Sequence, residues 1–199
     1  REGCSVEEVL IEDGLVTGVG GRSRHGDASI EHAGVVVGAD GVHSTVAGAV
    51  RAEQYDEKPA LLVGYYGYWS GLPMDGRSEV YARDWRAFAA WPTHEDLTLI
   101  IAGWPYAEFA KNKKDVEGHY LATIDLAPHF ADRLPGARRE SRLVGMAVPN
   151  YFRKPYGAGW ALVGDAGYNK DFITSQGIMD AFHDAELVAA ALDGWISGA

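Results

Sequence analysis

Two apolar runs in this chain end in the same kind of loop. Gly34-Val35-Val36-Val37-Gly38 runs into Ala39-Asp40-Gly41-Val42-His43-Ser44, and Trp160-Ala161-Leu162-Val163 runs into Gly164-Asp165-Ala166-Gly167. A short continuous apolar run reads as a strand buried on both faces, as in a parallel sheet. Each loop leads into a helix signal. Ser44 is a good N-cap for a short helix over 45–50, and the pattern predicts a long helix from about Thr174 to Trp195. Ile178, Phe182, Ala185, Ala189, Leu192 and Ile196 recur at helical spacing and are expected to form its one apolar face. Open α/β sheets bind ligands at the carboxyl ends of their strands. There glycine lets backbone approach closely, and a helix N-terminus offers N–H groups to anionic or carbonyl oxygens. A carboxylate between glycines accepts from vicinal hydroxyls of a ribose or ribityl chain. Asp and Gly are also ordinary turn residues; it is the second occurrence, again after a buried strand and before a helix, that points to a ligand.

Around these loops the texture is β-rich. Residues 5–11, 15–20 and 28–32 read as an antiparallel meander, with a turn at Glu12-Asp13-Gly14, since Asp-Gly tolerates positive φ at both central positions. A second polar, basic turn covers Gly21 to Asp27. From Pro59, strands are expected over 61–69, 79–83, 87–91 and 97–104, separated by turn residues at hairpin spacing. Helices follow over 114–126 and 128–134, then a strand over 143–148.

The balance of 18 Lys and Arg against 28 Asp and Glu, a formal charge of −10, disfavours nucleic acid and anionic membrane surfaces as partners. No apolar run approaches the ~18 residues of a spanning helix. The single cysteine, Cys4, provides no disulfide framework and fits a reducing, cytoplasmic setting. The seven histidines show no metal-ligand spacing, so no metal is assigned. Ser44 lacks the G-x-S-x-G elbow of a hydrolase nucleophile.

The first loop, Gly38-Ala39-Asp40-Gly41-Val42-His43-Ser44, resembles the Asp-Gly fingerprint of the FAD-dependent aromatic hydroxylases, the class A flavoprotein monooxygenases. Gly164-Asp165-Ala166-Gly167, with Gln176-Gly177-Ile178 and Asp184-Ala185 after it, resembles their Gly-Asp fingerprint. The order and separation match, and the resemblance covers nearly the whole chain. It implies a mixed α/β (α+β) fold: a partial FAD-binding Rossmann-like domain, 1–58 with 150–199, and an inserted antiparallel β-sheet substrate domain, 59–149. It implies FAD as cofactor, NAD(P)H and O2 as co-substrates, and oxygen transfer to a small organic substrate. Halogenases and reductases carry the same fingerprints. By the resemblance Asp165, with Gly164, Ala166 and Gly167, holds the ribityl chain. Gln176, Gly177 and Ile178 bring the helix N-terminus to the flavin ring, and Asp40, Gly41 and Ser44 lie near the pyrophosphate.

The sequence departs from the family's pattern in three places. The opening G-x-G-x-x-G turn has no counterpart, because Gly18, Gly20 and Gly21 sit inside the meander. Ala47 stands where an arginine ends the Asp-Gly motif, and Asp171 and Phe172 stand where prolines are usual. Because the chain starts at Arg1 in the middle of a strand pattern, it is expected to be a piece of a longer protein. As such a piece, its 35–37 and 162–163 strands are expected to lack a sheet neighbour, which invites a homo-oligomer.

Tyr65, Tyr66, Tyr68, Trp69 and Trp91 are candidate substrate-lining residues, since ligand pockets are mostly apolar. A sheet simply packed by aromatics explains them equally well, and alternation sends only half of a strand's residues to one face. His43 and His183 lie on or beside the motifs, without an assigned role. No side chain is named as a catalytic acid or base, because the flavin carries the hard step. The other reading is a non-catalytic remnant or ligand-binding module that holds no FAD on its own.

Overall fold

The computed structural model describes residues 2–83, 85–172 and 175–198. The chain divides into two compact units, Arg1–Pro59 with Pro149–Ala199, and Ala60–Val148.

The first unit opens with β1 (Cys4–Glu12), β2 (Leu15–Ser23) and β3 (Ala28–His32), an antiparallel meander in the order β1-β2-β3. At its first turn both Asp13 (φ 49) and Gly14 (φ 83) are left-handed, as a two-residue hairpin with the right twist demands. β2 runs three residues past its predicted end, through the stretch expected to turn. Gly18 and Gly21 lie in it because a Cβ there would collide with the Glu31 and Ser5 carbonyls. They are strand-packing glycines rather than a phosphate cradle.

β4 (Val36–Gly38) and α1 (Thr45–Ala49) follow, then a strand the sequence pattern did not reveal, β5 (Gln54–Lys58), exposed along its whole length. An exposed polar strand offers no period-2 burial signal.

The second unit is one antiparallel sheet with helices over one face. Its elements are β6 (Leu62–Ser70), β7 (Glu79–Arg83), β8 (Arg86–Pro92), β9 (Thr98–Pro105), α2 (Phe109–Asn112), α3 (Val116–Ile124), α4 (Pro128–Ala131), β10 (Arg138–Arg139) and β11 (Val144–Met146). The strand order is β10-β6-β9-β8-β7, with β11 also on β6. Asp115 caps α3 by accepting from the Gly118 N–H at 2.8 Å, and proline opens α4, where its missing N–H costs nothing. Trp69, Phe88 and Ile100 from the sheet meet Tyr120, Ile124 and Phe130 from the helices.

The chain then returns to the first unit through β12 (Asn150–Arg153), β13 (Tyr156–Gly157), β14 (Trp160–Leu162), β15 (Tyr168–Asn169) and α5 (Gly177–Ser197). β14 pairs parallel with β4, Trp160 opposite Val36, Ala161 opposite Val37 and Leu162 opposite Gly38. β13 pairs antiparallel on β14's other side, so β14 is flanked on both sides, and β4 and β13 are the edges. This corrects the expectation that both strands lack a neighbour. Val16, Val36, Val46, Ala47, Leu162 and Ala166 form the unit's core.

The long helix departs from its predicted placement. Its expected start at Thr174 lies outside the described residues. Of the expected apolar face, Ile178, Phe182 and Ile196 are 75%, 69% and 76% exposed. Ala185 and Ala189 are exposed too, and only Leu192 is half-buried. The half-buried positions are instead Asp180, Ala181, Asp184, Val188, Leu192 and Gly194. Helical periodicity identified a real apolar stripe, but the side that meets the unit is the one built from small residues and carboxylates. Among the described residues, no helix is long and apolar enough to cross a membrane.

Candidate functional site

The parallel pairing of β4 and β14 brings the two acidic glycine loops to the same end of one sheet. Gly38 and Leu162 are register partners, and both loops leave their strands within two residues of that pair. Gly38 is required there: a Cβ would lie 2.8 Å from Leu162 Cδ2 and 2.9 Å from Val46 Cβ. Sequence separation of more than 120 residues hides this adjacency from any local pattern.

In the first loop the carboxylate is exposed but turned to the start of α1. Asp40 Oδ2 accepts from the backbone N–H of Thr45 at 2.7 Å and of Val46 at 3.2 Å. Ser44 Oγ accepts from Ala47 N–H at 2.9 Å, the expected N-cap. The free N–H groups at the start of α1 are thus satisfied within the loop. Gly41, with φ 77 and open space where a Cβ would be, is the bare backbone of this loop. His43 is exposed beside it.

In the second loop the carboxylate is turned outward. Asp165 is exposed, and its carboxylate takes no hydrogen bond from a described residue. Around it the backbone is tightly held. The Gly164 N–H donates to Asp184 Oδ2 of α5 at 2.9 Å. Asn169 Nδ2 donates to the Asp165 carbonyl at 3.1 Å, and Arg153 Nη1 to the Ala166 carbonyl at 2.9 Å. The Arg153 N–H donates to the Gly167 carbonyl at 2.7 Å. Gly164 is left-handed (φ 57), and a Cβ there would press on Ala181 of α5 at 3.0 Å. Only glycine gives both the backbone conformation and the close passage of the helix. Ala166 is fully buried beneath.

Arg153, Asn169 and Tyr168 escaped the sequence reading. Tyr168 interacts with Asp184; burial first, then Asp184 and Asp180, push its hydroxyl up to about 12. It therefore stays protonated and a donor at neutral pH. Its ring lies against Phe152 at 5.5 Å, and Phe152 against Tyr55 at 5.7 Å. The one available signal was Asn169, a polar residue two positions after the motif that turns out to be 3% exposed.

Between this loop and α5, the N–H of Asp171 donates to Asn150 Oδ1 at 2.7 Å, a bond that proline could not make. That accounts for Asp171; Phe172 beside it is half-buried. Gln176, Gly177 and Ile178 open α5, which has no side-chain cap, and nothing lies within 4 Å of a Cβ at Gly177. His183 is exposed on the same helix.

The pleat divides the candidate substrate residues. Trp69 is buried on the helix-covered face, its Nε1 donating to Tyr120 Oη at 3.2 Å, and Tyr65 packs against the same core. Trp69 is thus a core residue, while Tyr65 is half-buried. Tyr66 and Tyr68 point to the opposite face, where Leu99 is the register partner of both Tyr68 and Trp91. A cavity of about 890 Å³ lies in the first unit between α5 and the sheets, with Tyr55, Phe152, Tyr156, Trp160 and Trp195 on its walls.

A parallel strand pair with acidic glycine loops at one end, a long helix tied to the second loop and a separate antiparallel sheet define a class A flavoprotein monooxygenase-like fold, mixed α/β in architecture. The chain is similar to the myxobacterial chondrochloren halogenase CndH, an FAD-dependent halogenase, at 28% identity and TM-score 0.84, over 98% of this chain and 47% of that one. It is similar to PqsL of Pseudomonas aeruginosa, a probable FAD-dependent monooxygenase, at 23% identity and TM-score 0.73, over 98% and 54%. With the flavin-dependent brominase Bmp2 the values are 20% and 0.76, over 89% and 46%. The chain spans about half the length of these proteins. No protein-family model matches it.

Proposed function

We propose that this chain is the flavin-facing portion of an FAD-dependent oxidoreductase that carries out oxygen-dependent chemistry on a small organic substrate. The observation that carries this reading is the outward carboxylate of Asp165, held on a buttressed loop beside the uncapped start of α5. These residues fit one part of FAD. Asp165 would accept from ribityl hydroxyls, Gly164 and Gly167 would shape the loop that carries it, and the N–H groups of Gly177 and Ile178 would face the ring. When bound, FAD supplies the electron transfer and oxygen activation. The protein's share is to orient the cofactor and keep water out.

The first loop has a different part. With Asp40 and Ser44 occupied by α1, its contribution toward the pyrophosphate rests on the Gly41 backbone. Within the second unit, Tyr66, Tyr68 and Trp91 are the aromatic face left for an organic substrate. NAD(P)H as reductant and monooxygenation as outcome follow from the family resemblance. The neighbours also include halogenases, and PqsL has been solved with 2-aminobenzoylacetate, a small organic molecule.

The test is a flavin-fluorescence titration of the chain with FAD. Fixing a long flexible cofactor costs ~4–15 kcal/mol in rigid-body freedom, so the contacts present should hold FAD only at micromolar affinity or weaker. Asp165→Ala should weaken binding by roughly 10- to 150-fold, the worth of a charge-assisted hydrogen bond, without changing stability. Asp40→Ala should lower stability by about 1 kcal/mol, the worth of a cap. Equal FAD affinity in Asp165→Ala and the unaltered chain, or no binding by either at millimolar FAD, refutes the reading.

A further inference from the structure

The Gly-Asp loop is fastened through its carbonyls. Those of Asp165, Ala166 and Gly167 accept in turn from Asn169 Nδ2 at 3.1 Å, Arg153 Nη1 at 2.9 Å and the Arg153 N–H at 2.7 Å. All these donors belong to one antiparallel pair, β12 on β15, in which Tyr151 and Asn169 are register partners. Asn169 is 3% exposed, so its amide has to be satisfied inside the protein. Its Nδ2 also donates to Tyr151 Oη at 2.8 Å. A primary amide is the uncharged side chain that offers two protons from one nitrogen; a hydroxyl or a carboxylate here could not make both bonds. Arg153 is braced in turn, its guanidinium 4.8 Å from the centre of the Tyr151 ring.

The peptide before Asp165 is held as well, the Gly164 carbonyl accepting from the Gly167 N–H at 2.8 Å. Both peptide planes that meet at the Asp165 Cα are therefore fixed, and with them the two soft backbone dihedrals and the direction of its Cβ. The carboxylate beyond that Cβ is exposed and takes no hydrogen bond from a described residue. Its backbone alone sets where it is aimed.

We propose that Asn169 and Arg153 are positioning residues for FAD, which act through Asp165 by fixing the loop that aims its carboxylate. The proposal rests on the reading of Asp165 as the acceptor of the ribityl hydroxyls. Asn169 fixes the Asp165–Ala166 peptide directly, and Arg153 fixes the two that follow. Without the Asn169 bond that first peptide is free to rotate, and FAD has to order it on binding.

In the flavin-fluorescence titration, Asn169→Ala should weaken FAD roughly 5- to 30-fold, the cost of fixing one freed residue. Arg153→Met, at a half-buried position, removes the neighbouring tie without opening the core and should weaken FAD in the same direction; it carries the test if Asn169→Ala does not fold. A residue that only stabilises the fold would weaken FAD equally in any background. In an Asp165→Ala background, by contrast, both substitutions should change FAD affinity by less than about twofold, the scatter of independent sites. Nitrogen-15 relaxation reads the same effect without cofactor. The order parameter of the Asp165 amide should fall from ~0.85 to below ~0.6 in the variant, with that of Ala161 in β14 unchanged. Affinity within about twofold of the unaltered chain, an equal loss with and without the Asp165 carboxylate, or an Asp165 amide as rigid as before each overturns the proposal and leaves the ribityl reading standing. No FAD binding by the unaltered chain at millimolar FAD removes the ribityl reading and the proposal together.

Discussion

Asp184→Ala tests whether the Gly-Asp loop is held by the helix that follows it. Asp184 lies 20 residues beyond Gly164 and accepts its buried N–H at 2.9 Å. Truncation leaves that N–H without a partner in a buried position. A hydrogen bond to a charged acceptor contributes about 1.5–3 kcal/mol, and an orphaned buried donor costs a similar amount. Because Asp184 is only half-buried, water can reach part of the vacated site, and ~2 kcal/mol is expected. That is about a 30-fold change in the folding equilibrium, or a fall in Tm of roughly 4–8 °C for a chain of this size. Urea unfolding followed by far-UV circular dichroism gives the energy, and amide exchange at Gly164 localises it. Asp184→Asn keeps an oxygen acceptor without the charge and should lose about half as much. Values within ~0.5 kcal/mol of the unaltered chain, or equal losses for Asn and Ala, would show that the bond does not hold the loop.

Tyr120→Phe should cost about 2–4 kcal/mol in urea titrations. Its hydroxyl both receives the Trp69 indole N–H at 3.2 Å and donates to the Ile100 carbonyl at 3.0 Å, and burial holds it protonated. Trp69→Ala should cost ~3–5 kcal/mol and Tyr66→Ala less than half of that, since only the first empties the core; equal costs would mean the two faces of the sheet have been misassigned. The second unit should also weaken in acid. The Arg86 hydrogen bond holds Glu108 below the ordinary carboxylate range, and at Glu79 burial acts upward but is outweighed by hydrogen bonds from Tyr81 and Arg133. With folded values below unfolded ones, this stability is present above about pH 4.3 and is lost as pH falls through the folded values. Glu108→Gln combined with Glu79→Gln should flatten the dependence of the urea midpoint between pH 6 and pH 3; an unchanged slope would assign it to other groups.

Sequence alone determined what nearest neighbours dictate. Asp13-Gly14 specified the hairpin turn, Ser44 the helix cap, and the Val35–Val37 and Trp160–Val163 runs two strands, though β4 is an edge strand with Val37 40% exposed rather than buried on both faces. The same holds for the Asp-Gly and Gly-Asp loops as sites of interest, because backbone conformation and capping are settled within a few residues. Tertiary structure decided everything that depends on partners far along the chain. Only the register of β4 on β14 brings the loops to one sheet end, and only the packing of α5 sets Asp184 against the Gly164 N–H. Alternation announced that the aromatics of β6 would split, but which of them met Tyr120 depended on the helices laid over one face. The periodicity of α5 located an apolar stripe without saying what it faces: a helical moment records a direction, and the neighbour in that direction is supplied by the rest of the fold.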